Sequence, residues 1–343
     1  MSPKNGRSIL IHIRVEYLQG KYEQGLMKYF HLVFLVLISL GANTMDKPIA
    51  IVLHGGAGWF ANLSDDQQAA IKDKMKEAMD AGYSILESGG TSGDAVIASI
   101  TILEDSPLFN AGKGSVFTSE ATQEMDASIM RGNDHAAGAV ASVSVVKNPI
   151  KLAKHVMENT PHVMFVGEGA ESLAKTGGLE IVDPDYFFSQ QKFEALQRAQ
   201  AKENSKEDKL GTVGAVALDK FGNITAGTST GGMTNKLPGR VGDSPIIGAG
   251  TWADNESCGV SATGHGEFFI RYNVSKEICD RVKYLGKSIK DASDQLISEL
   301  KAIEADGGVI VLNKKGEAAM SFNTPAMARA YKGPDQELVE IYR

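Results

Sequence analysis

Short apolar runs alternate with amphipathic segments over most of this chain. Residues 49–53, read IAIVL, form an apolar run that is typical of a buried strand. Ser64 follows as a plausible helix N-cap, and the Gly89-Gly90 pair predicts the end of that helix. Between them, apolar or small residues recur in steps of three and four, at Ile71, Met75, Met79, Gly82 and Leu86. The pattern therefore predicts a strand, a loop and an amphipathic helix.

The same kind of pattern continues to the C-terminus. Strands are predicted at 140–146 and 163–166, and helices at 94–104, from Pro149, at 190–201, from about Glu267 and at 288–304. Two hairpins are predicted from strand pairs joined by Gly- and Asn-containing turns, at 212–218 with 224–230 and at 309–312 with 317–322. A charged stretch occupies residues 202–210. This mixture predicts an α+β protein in which helices cover sheets.

One apolar run near the N-terminus differs from the others. Residues 30–40, read FHLVFLVLISL, are too few to span a bilayer, which takes about 20 apolar residues in a helix. Lys28 precedes the run and Gly41-Ala42 follows it. A basic start, a short apolar middle and small residues afterwards predict a secretory signal peptide over residues 27–44.

The segment before that run fits neither a leader nor a domain. We interpret residues 1–26 as an upstream extension that precedes a true start at Met27. This interpretation predicts a periplasmic or secreted protein with no membrane segment after removal of the signal peptide. A start at Met45 would instead give a cytoplasmic protein, so both localisations stay open.

Composition and charge exclude several classes of function. The 42 acidic and 35 basic residues give a net charge of −7, which disfavours nucleic-acid binding. Seven histidines show no paired spacing of the kind that holds a catalytic metal. The two cysteines, Cys258 and Cys279, are too few for a cysteine-based zinc site, and the sequence leaves open whether they pair.

One short motif is typical of serine hydrolases. Residues 227–231, read GTSTG, match the G-x-S-x-G nucleophile elbow, and Asp243 and His265 follow in the order of that triad. The elbow needs a helix directly after its serine, whereas residues 231–239 read GGMTNKLPG. Only 36 residues separate Ser229 from His265, too few for the intervening strand and helix units. We therefore reject the α/β-hydrolase interpretation.

A second candidate nucleophile lies where the charged stretch meets the first hairpin. Cleavage between Gly211 and Thr212 would give Thr212 both a hydroxyl and a free α-amine. Such an amine has a pKa of about 7.7–8, so it could act as the general base for the hydroxyl of its own residue. Gly211 would keep steric bulk away from that bond. On these residues alone, a strand-starting threonine remains the simpler interpretation.

Longer runs around this threonine are more specific. They are HGGAG at 54–58, PLFNAGKG at 107–114, LGTVGAVALD at 210–219, TSTGGMTNKLPGRVGDSP at 228–245 and ATGHGE at 262–267. These runs resemble the plant-type asparaginases, also called isoaspartyl peptidases. The resemblance extends from about residue 49 to residue 343.

The resemblance implies an architecture and a maturation step. It implies an N-terminal nucleophile hydrolase of the threonine type, with a four-layer αββα sandwich and self-cleavage before Thr212. The products would be an α subunit of residues 45–211 and a β subunit of residues 212–343. Two such αβ heterodimers would associate as a homodimer.

The resemblance also implies roles for the catalytic residues. Thr212 would be the nucleophile for both self-cleavage and hydrolysis, and Thr230 would tune its hydroxyl and amine. The Thr263 hydroxyl and the Gly264 N–H would form the oxyanion hole. Asn110 would help to place the scissile carbonyl.

Substrate binding would use a second group of residues. Arg240 would clamp the α-carboxylate, because a guanidinium matches a carboxylate bidentately, and Asp243 would accept the α-ammonium. His265 is expected to be a loop residue rather than a base. The residues expected to line the substrate site are Asn110, Arg240, Val241, Gly242, Asp243, Thr263, Gly264, His265 and Gly266.

No cofactor is expected for catalysis. The resemblance implies a structural sodium ion, bound by main-chain carbonyls of the loop between residues 103 and 113. The residues expected at this ion are Leu103, Glu104, Ser106, Phe109, Ala111 and Lys113.

The implied reaction is hydrolysis of β-aspartyl dipeptides and L-asparagine, both small molecules, through a β-aspartyl ester on Thr212. Two alternatives stay open. A glycosylasparaginase would share the fold and the nucleophile, and an uncleaved amino-acid-binding protein would share the substrate clamp without the chemistry.

Overall fold

The computed structural model describes residues 47–58, 63–201 and 211–343. The predicted upstream extension (1–26), the predicted signal peptide (27–44) and the charged stretch (202–210) lie outside the described residues. These three predictions therefore stay predictions.

The helices follow the predicted amphipathic segments. Their bounds are α1 (Asp65–Glu87), α2 (Ser92–Glu104), α3 (Pro149–Asn159), α4 (Gly167–Thr176), α5 (Gln190–Gln200), α6 (Gly266–Tyr272), α7 (Val274–Leu285) and α8 (Ile289–Ala302). Single 3-10 turns occupy Gly112–Gly114 and Pro184–Phe187. Among the described helices, none combines the length and the apolar character that crossing a membrane requires.

The strands form two sheets. Their bounds are β1 (Ala50–Gly58), β2 (Met125–Arg131), β3 (Ala137–Val143), β4 (Met164–Val166), β5 (Val213–Leu218), β6 (Ile224–Thr230), β7 (Thr251–Ala253), β8 (Gly259–Gly264), β9 (Gly307–Leu312), β10 (Ala318–Phe322), β11 (Ala326–Lys332) and β12 (Glu337–Tyr342). The large sheet has the order β12-β11-β1-β5-β6-β2-β3-β4, and the small sheet has the order β10-β9-β8-β7. The prediction of mixed α and β structure is confirmed.

Apolar side chains join the two sheets face to face. Val52 and Val216 of the large sheet belong to the same buried cluster as Ile310 of the small sheet. Strands β5 and β9 carry residues on both of their faces into buried clusters, because successive side chains of a strand point to opposite sides. The interior is thus a layer between two sheets.

Helices bury their apolar faces against the outer sides of these sheets. Met75 and Met79 of α1 and Val96 of α2 pack with Ile51 and other residues of the large sheet. Helices α7 and α8 pack in the same way on the small sheet, through the cluster that contains Ile278, Leu296 and Val309. Each sheet is therefore shielded from water on its outer side by the helices that the 3.6-residue periodicity predicted.

The start of α1 confirms the predicted N-cap. The Ser64 hydroxyl accepts a hydrogen bond from the Gln67 N–H, and the Gln67 side chain accepts one from the Ser64 N–H. This is a capping box, which satisfies backbone donors that the first helical turn leaves free. The five residues of the predicted apolar stripe are all buried.

Two predicted elements differ from the structure. The strand predicted at 140–146 runs instead from Ala137 to Val143, and near its end a register irregularity contains Ser142, whose backbone is left-handed with a φ of 52°. The single helix expected from Glu267 is divided into α6 and α7 by Asn273, whose φ of 51° is incompatible with a continuous right-handed helix. Both interruptions depend on local backbone twists that hydrophobic periodicity does not encode.

A disulfide resolves the question of the two cysteines. Cys258 precedes β8, Cys279 lies on α7, and the two are bonded with their Cα atoms 5.4 Å apart. Both residues are buried, so the bond fastens a helix to the strand that it covers.

The register of β5 brings the candidate nucleophile to its predicted neighbours. β5 pairs antiparallel with β1 on one side and with β6 on the other. Val213 lies opposite Ser229, which places the preceding residue, Thr212, beside Thr230. The strand pairing alone therefore assembles two of the predicted catalytic residues.

Gly214 offers a test of how tightly the two sheets meet. A Cβ atom at this position would lie 2.0 Å from Ser261 Oγ and 2.4 Å from His54 Nε2. Gly214→Ala is expected to destabilise the protein by about 1–3 kcal/mol through overpacking, seen as a lower Tm in calorimetry. Gly169→Ala on α4 is the matched control, since no atom lies within 4 Å of its added Cβ. An unchanged Tm for Gly214→Ala would show that this part of the interior has spare room.

Candidate active site

The hydroxyl groups of Thr212 and Thr230 meet at the ends of β5 and β6. Thr212 Oγ1 donates a hydrogen bond of 3.0 Å to Thr230 Oγ1. Thr230 Oγ1 also accepts the Gly232 N–H at 3.0 Å. Both threonines are buried, so neither hydroxyl is free to rotate into bulk water. The two residues therefore lie together, as the sequence predicted.

Two further groups lie against the peptide that precedes Thr212. A Cβ atom on Gly56 would be 2.5 Å from the Gly211 Cα, and Gly56 has a φ of +107°, a conformation that favours glycine. A Cβ atom on Gly211 would be 2.8 Å from Thr263 Oγ1. Gly56 and the Thr263 hydroxyl can thus approach Gly211 this closely only because Gly56 and Gly211 have no side chains. The sequence analysis did not single out Gly56, although the glycines of its HGGAG run were a visible signal.

His54 supports Thr212 from the interior. Its Nδ1 lies 3.0 Å from the Thr212 carbonyl oxygen and its Nε2 lies 2.9 Å from Ser261 Oγ. Burial lowers the pKa of His54 to about 3, so the imidazole is neutral. Because a carbonyl can only accept, Nδ1 carries the proton and Nε2 accepts from the Ser261 hydroxyl. Sequence reasoning gave His54 no role of its own.

A chain of buried hydroxyls continues from Ser261 between the two sheets. Ser261 Oγ lies 2.7 Å from Thr228 Oγ1, which accepts from Thr251 Oγ1 at 2.6 Å. Ser128 Oγ lies 2.8 Å from Thr251 Oγ1 and 2.6 Å from the Ser244 carbonyl oxygen, either of which can accept its single proton. The network links the strand of Thr212 to the residue that follows Asp243.

Arg240 meets a carboxylate that the sequence analysis did not assign. Its Nε and Nη2 atoms donate to Glu267 at 2.9 Å each, and Nη2 lies 3.3 Å from Met233 Sδ. Burial opposes ionisation of Glu267, but its own backbone N–H and Arg240 outweigh burial and lower the pKa of Glu267. Glu267 therefore binds one edge of the Arg240 guanidinium, the edge formed by Nε and Nη2.

Asp243 is buried close to that guanidinium. Burial raises the pKa of Asp243 to about 7, and Arg240 only partly offsets this effect. Its Oδ2 has no hydrogen-bond partner among the described residues. A Cβ atom on Gly266 would lie 2.9 Å from both Arg240 Nη2 and Asp243 Oδ1, so the absent side chain leaves open the gap between these two groups. That gap is bordered by a cation and a carboxyl group.

The remaining residues of the predicted substrate site lie around this gap with different exposures. Thr263 Oγ1 accepts the Ala57 N–H at 3.3 Å, and Gly264 ends β8. A Cβ atom on Gly242 would lie 2.8 Å from Arg240 Nη1, and Val241 is half-buried beside it. His265 is half-buried at the N-cap of α6, and its Nε2 lies 3.5 Å from Glu267 Oε2.

Asn110 holds the turn that follows Thr230. Its Nδ2 donates to the Gly232 carbonyl at 2.7 Å, its carbonyl accepts the Gly231 N–H at 3.1 Å, and its Oδ1 accepts the Val116 N–H at 3.1 Å. Asn110 therefore lies beside the catalytic candidates, but in the described structure its side-chain amide contacts the glycine turn.

The loop predicted to bind sodium packs main-chain oxygens against its glycines. A Cβ atom on Gly112 would lie 2.3 Å from the Glu104 carbonyl oxygen, and one on Gly114 would lie 1.8 Å from the Phe109 carbonyl oxygen. Hard cations prefer such oxygen ligands, so the donor set fits. The Leu103 and Ala111 carbonyls accept the Ser106 and Gly114 N–H groups, and the Lys113 ammonium lies over the Tyr186 ring.

The side chain of Glu104 is buried beneath the same loop. Its Oε1 accepts from Ser229 Oγ at 2.6 Å and from the Ile150 N–H at 3.0 Å, at the start of α3. Burial raises the pKa of Glu104 to about 8. The carboxyl group thus joins α2, α3 and β6 directly behind Thr230.

Comparison with known proteins gives a family match over most of the chain. The family model described as asparaginase matches residues 47–340. The chain is 45% identical over 314 residues to an isoaspartyl peptidase of Salmonella typhimurium, which covers 87% of this chain and 100% of that protein.

Eukaryotic relatives match at similar levels. A putative isoaspartyl peptidase/L-asparaginase of Dictyostelium discoideum is 44% identical over 84% of this chain and 94% of its own length. The isoaspartyl peptidase/L-asparaginase of Homo sapiens is 40% identical over 82% of this chain and 92% of its own length.

The raised pKa of Asp243 predicts a pH dependence for binding of a free amino acid. L-aspartate carries an α-ammonium and an α-carboxylate, and Asp243 must lose its proton before it can pair with the ammonium. The Kd for L-aspartate, measured by calorimetry between about pH 5.5 and 8.5, is expected to be flat above pH ~8. Below pH ~6 it should rise about tenfold per pH unit.

Asp243→Asn is the control for this experiment. The variant should bind L-aspartate weakly at every pH and show no inflection near neutrality. A flat Kd for the unmodified protein over the whole range would contradict the assignment of Asp243 as the ammonium acceptor.

Proposed function

This chain belongs to the asparaginase family, and from that membership we propose that it hydrolyses β-aspartyl dipeptides and L-asparagine to release L-aspartate. The proposal depends most on one observation. The Thr212 hydroxyl is hydrogen-bonded to Thr230, while Gly211, just before it, lies against Gly56 and the Thr263 hydroxyl.

We propose that the protein matures by cutting itself before Thr212. Attack of Thr212 Oγ1 on the Gly211 carbonyl carbon, with cleavage of the C–N bond and transfer of a proton to the nitrogen, would give an ester and free the α-amine of Thr212. Water would then hydrolyse the ester, which releases the Gly211 carboxylate and restores the Thr212 hydroxyl. The products would be an α subunit of residues 45–211 and a β subunit of residues 212–343. The face-to-face sheets with helices on their outer sides support the four-layer αββα arrangement of an N-terminal nucleophile hydrolase.

The freed amine would then serve as general base. With a pKa of about 7.7–8, it would accept the proton of Thr212 Oγ1 as that oxygen attacks the β-carbonyl carbon of the substrate. The tetrahedral intermediate would collapse with cleavage of its C–N bond, and the proton would pass to the leaving nitrogen. A water molecule would cleave the resulting β-aspartyl ester, releasing L-aspartate and restoring the hydroxyl.

The negative oxygen of the tetrahedral intermediate needs preorganised donors. The Thr263 hydroxyl lies beside Gly211, the residue whose carbonyl would be attacked first, so it is well placed for the same role toward a substrate carbonyl. The Gly264 N–H, at the end of β8, would be the second donor. Removing one such donor typically costs about 2.7–4 kcal/mol of transition-state stabilisation.

Substrate selection would depend on the α-amino acid head group. Arg240 and Asp243 border the gap beside Gly266, where they can bind an α-carboxylate and an α-ammonium carried by one carbon. A β-linked aspartyl residue keeps both groups free, as does L-asparagine. An α-linked aspartyl residue presents an amide in place of the carboxylate, so it should be refused.

We propose no cofactor for the chemistry. Main-chain carbonyls of the loop between residues 103 and 113 would bind a structural sodium ion. The ion would make the segment that carries Asn110 more rigid. We also propose a homodimer of αβ heterodimers as the assembled form.

Two alternatives differ from this proposal in specific ways. A glycosylasparaginase would use the same nucleophile on an N-glycosylated asparagine, but the Lys-Leu-Pro-Gly-Arg240 run favours the isoaspartyl type. An uncleaved amino-acid-binding protein would retain Arg240 and Asp243, but it would not need a hydroxyl pair at Thr212 and Thr230.

A first experiment tests the nucleophile. Thr212→Ala is expected to run as one full-length band on a denaturing gel and to lose at least about 10³-fold in kcat, because it removes the attacking oxygen. Thr176→Ala, at the exposed end of α4, is the matched control and should give two fragments and full activity. Hydrolysis of β-Asp-Leu by Thr212→Ala would refute the assignment. A single band for the unmodified protein would favour the binding-protein alternative.

A second experiment separates the two enzyme alternatives. Release of L-aspartate from β-Asp-Leu is compared with its release from an N-glycosyl asparagine under identical conditions. We expect kcat/KM to be higher for the dipeptide, since nothing in the clamp recognises a sugar. A preference for the glycosylated substrate would indicate a glycosylasparaginase.

The disulfide supports export of the protein, which we propose takes place through a signal peptide at residues 27–44. Disulfides persist in oxidising compartments such as the periplasm, and Cys258 and Cys279 are bonded. A reporter fused after residue 44 should be exported, whereas one fused to a chain that starts at Met45 should remain in the cytoplasm. Retention of the first fusion would support the cytoplasmic alternative.

A further inference from the structure

A buried lysine lies beneath the predicted substrate clamp. Lys236 belongs to the segment that leads from Thr230 to Arg240, and we call residues 231–243 the clamp loop. Its side chain is only 5% exposed, which is unusual for a lysine. Its Nζ donates to the Glu124 carbonyl oxygen at 2.8 Å. The ammonium is therefore fixed at one point, just before β2.

The backbone of the clamp loop is bonded to the same neighbouring segment. The Asn235 N–H donates to the Phe117 carbonyl at 2.9 Å, and the Lys236 carbonyl accepts the Ser119 N–H at 2.7 Å. The Gly239 N–H, directly before Arg240, donates to Glu124 Oε2 at 2.8 Å. Glu124 thus contacts the loop through both its main chain and its side chain.

Asp126 contributes a buried negative charge to this contact. It lies opposite Thr230 in the pairing of β2 with β6, and its Oδ1 accepts the Ser142 N–H at 2.9 Å. Burial raises the pKa of Asp126, while Lys236, the Ser142 N–H and Arg240 act in the opposite direction and favour the charged form. The Gly242 N–H acts on the carboxyl group in the same sense.

The contacts reach the clamp loop on both sides of Arg240. Glu124 binds the residue before it, and Asp126 acts on Gly242, the residue before Asp243. Burial lowers the pKa of Lys236, and repulsion by Arg240 acts in the same direction, while the Asp126 and Glu124 carboxylates offset only part of this effect. The Asp126 and Glu124 carboxylates therefore reduce the electrostatic cost of bringing two cations into one loop.

We infer that Lys236 is a positioning residue for substrate binding, because its ammonium holds the clamp loop on residues 117–126 and thereby aims Arg240 and Asp243 at the α-amino acid head group. The inference deepens the proposed function and rests on it. Lys236 lies on one side of the Gly211–Thr212 bond and its partners lie on the other, so the clamp is completed by residues of the proposed α subunit.

The test separates substrate binding from chemistry. Lys236→Met removes the ammonium and keeps an unbranched side chain of similar length. The variant is expressed from the complete chain, and we expect its cleavage into two fragments to be complete. In the cleaved enzyme, KM for β-Asp-Leu should rise at least tenfold, while kcat should stay within about threefold. The Kd for L-aspartate should weaken by the same factor as KM.

A second variant avoids disturbing the buried site. Glu124→Ala removes the acceptor of the Gly239 N–H but keeps the carbonyl that binds Lys236, so KM should rise two- to fivefold. Lys154→Met is the matched control, since Lys154 pairs with Asp94 on the outer helices, and its KM should be unchanged.

Each outcome decides the inference. Unchanged KM and Kd in Lys236→Met, or a fall in kcat alone, would overturn it. If Lys236→Met fails to fold, the KM and Kd of Glu124→Ala decide in the same way. If the unmodified enzyme does not hydrolyse β-Asp-Leu, the proposed function fails, and the Kd for L-aspartate still tests whether Lys236 positions the clamp.

Discussion

The antiparallel pairing of β5 with β6 is the constraint on which the candidate site depends. This pairing sets the hydroxyl of Thr212 against that of Thr230, and the pairing of β5 with β1 brings His54 to the Thr212 carbonyl. A shift of one residue in either register would turn Thr212 to the other face of the sheet. Backbone hydrogen bonds rather than side-chain contacts therefore determine where the candidate nucleophile lies.

The interior around this pair is unusually polar, and its polar groups are arranged to be compatible with burial. The His54 imidazole is neutral, and both of its nitrogens have hydrogen-bond partners. Burial raises the pKa of Glu104, whose Oε1 accepts hydrogen bonds from a helix and a strand. The charge of Lys236 is favoured by the nearby Asp126 carboxylate. The pairing is incomplete, since one carboxyl oxygen each of Asp243, Glu104 and Asp126 has no hydrogen-bond partner among the described residues. An unpartnered buried oxygen costs free energy, which a bound ammonium group would recover at Asp243.

Much of the framework and the predicted site followed from the sequence, and the failures have physical causes. Periodicity identified α1 and its Ser64 cap, and the Gly-Asn turn identified the hairpin of β5 and β6. Periodicity could not anticipate the left-handed residues Ser142 and Asn273, since it reports which side chains are buried and not the local backbone conformation. It also missed β2, β7, β8 and β11, whose alternation is masked because both faces are buried, and β12, most of whose residues are half-buried or exposed. The roles of Gly56, Glu267 and Lys236 were invisible because each acts on a partner far away in the sequence.

The strand order has a consequence for the lifetime of the proposed cleaved form. Along the large sheet, β12 and β11 come after the proposed cleavage site, β1 before it, β5 and β6 after it, and β2, β3 and β4 before it. Strands of the two pieces would thus pair with each other at three places in the sheet, β11 with β1, β1 with β5 and β6 with β2. The disulfide lies wholly within the second piece. Once separated, such pieces could not re-form the sheet by simple docking. The molecule would be assembled once, as a single chain, and its loss by unfolding would be irreversible.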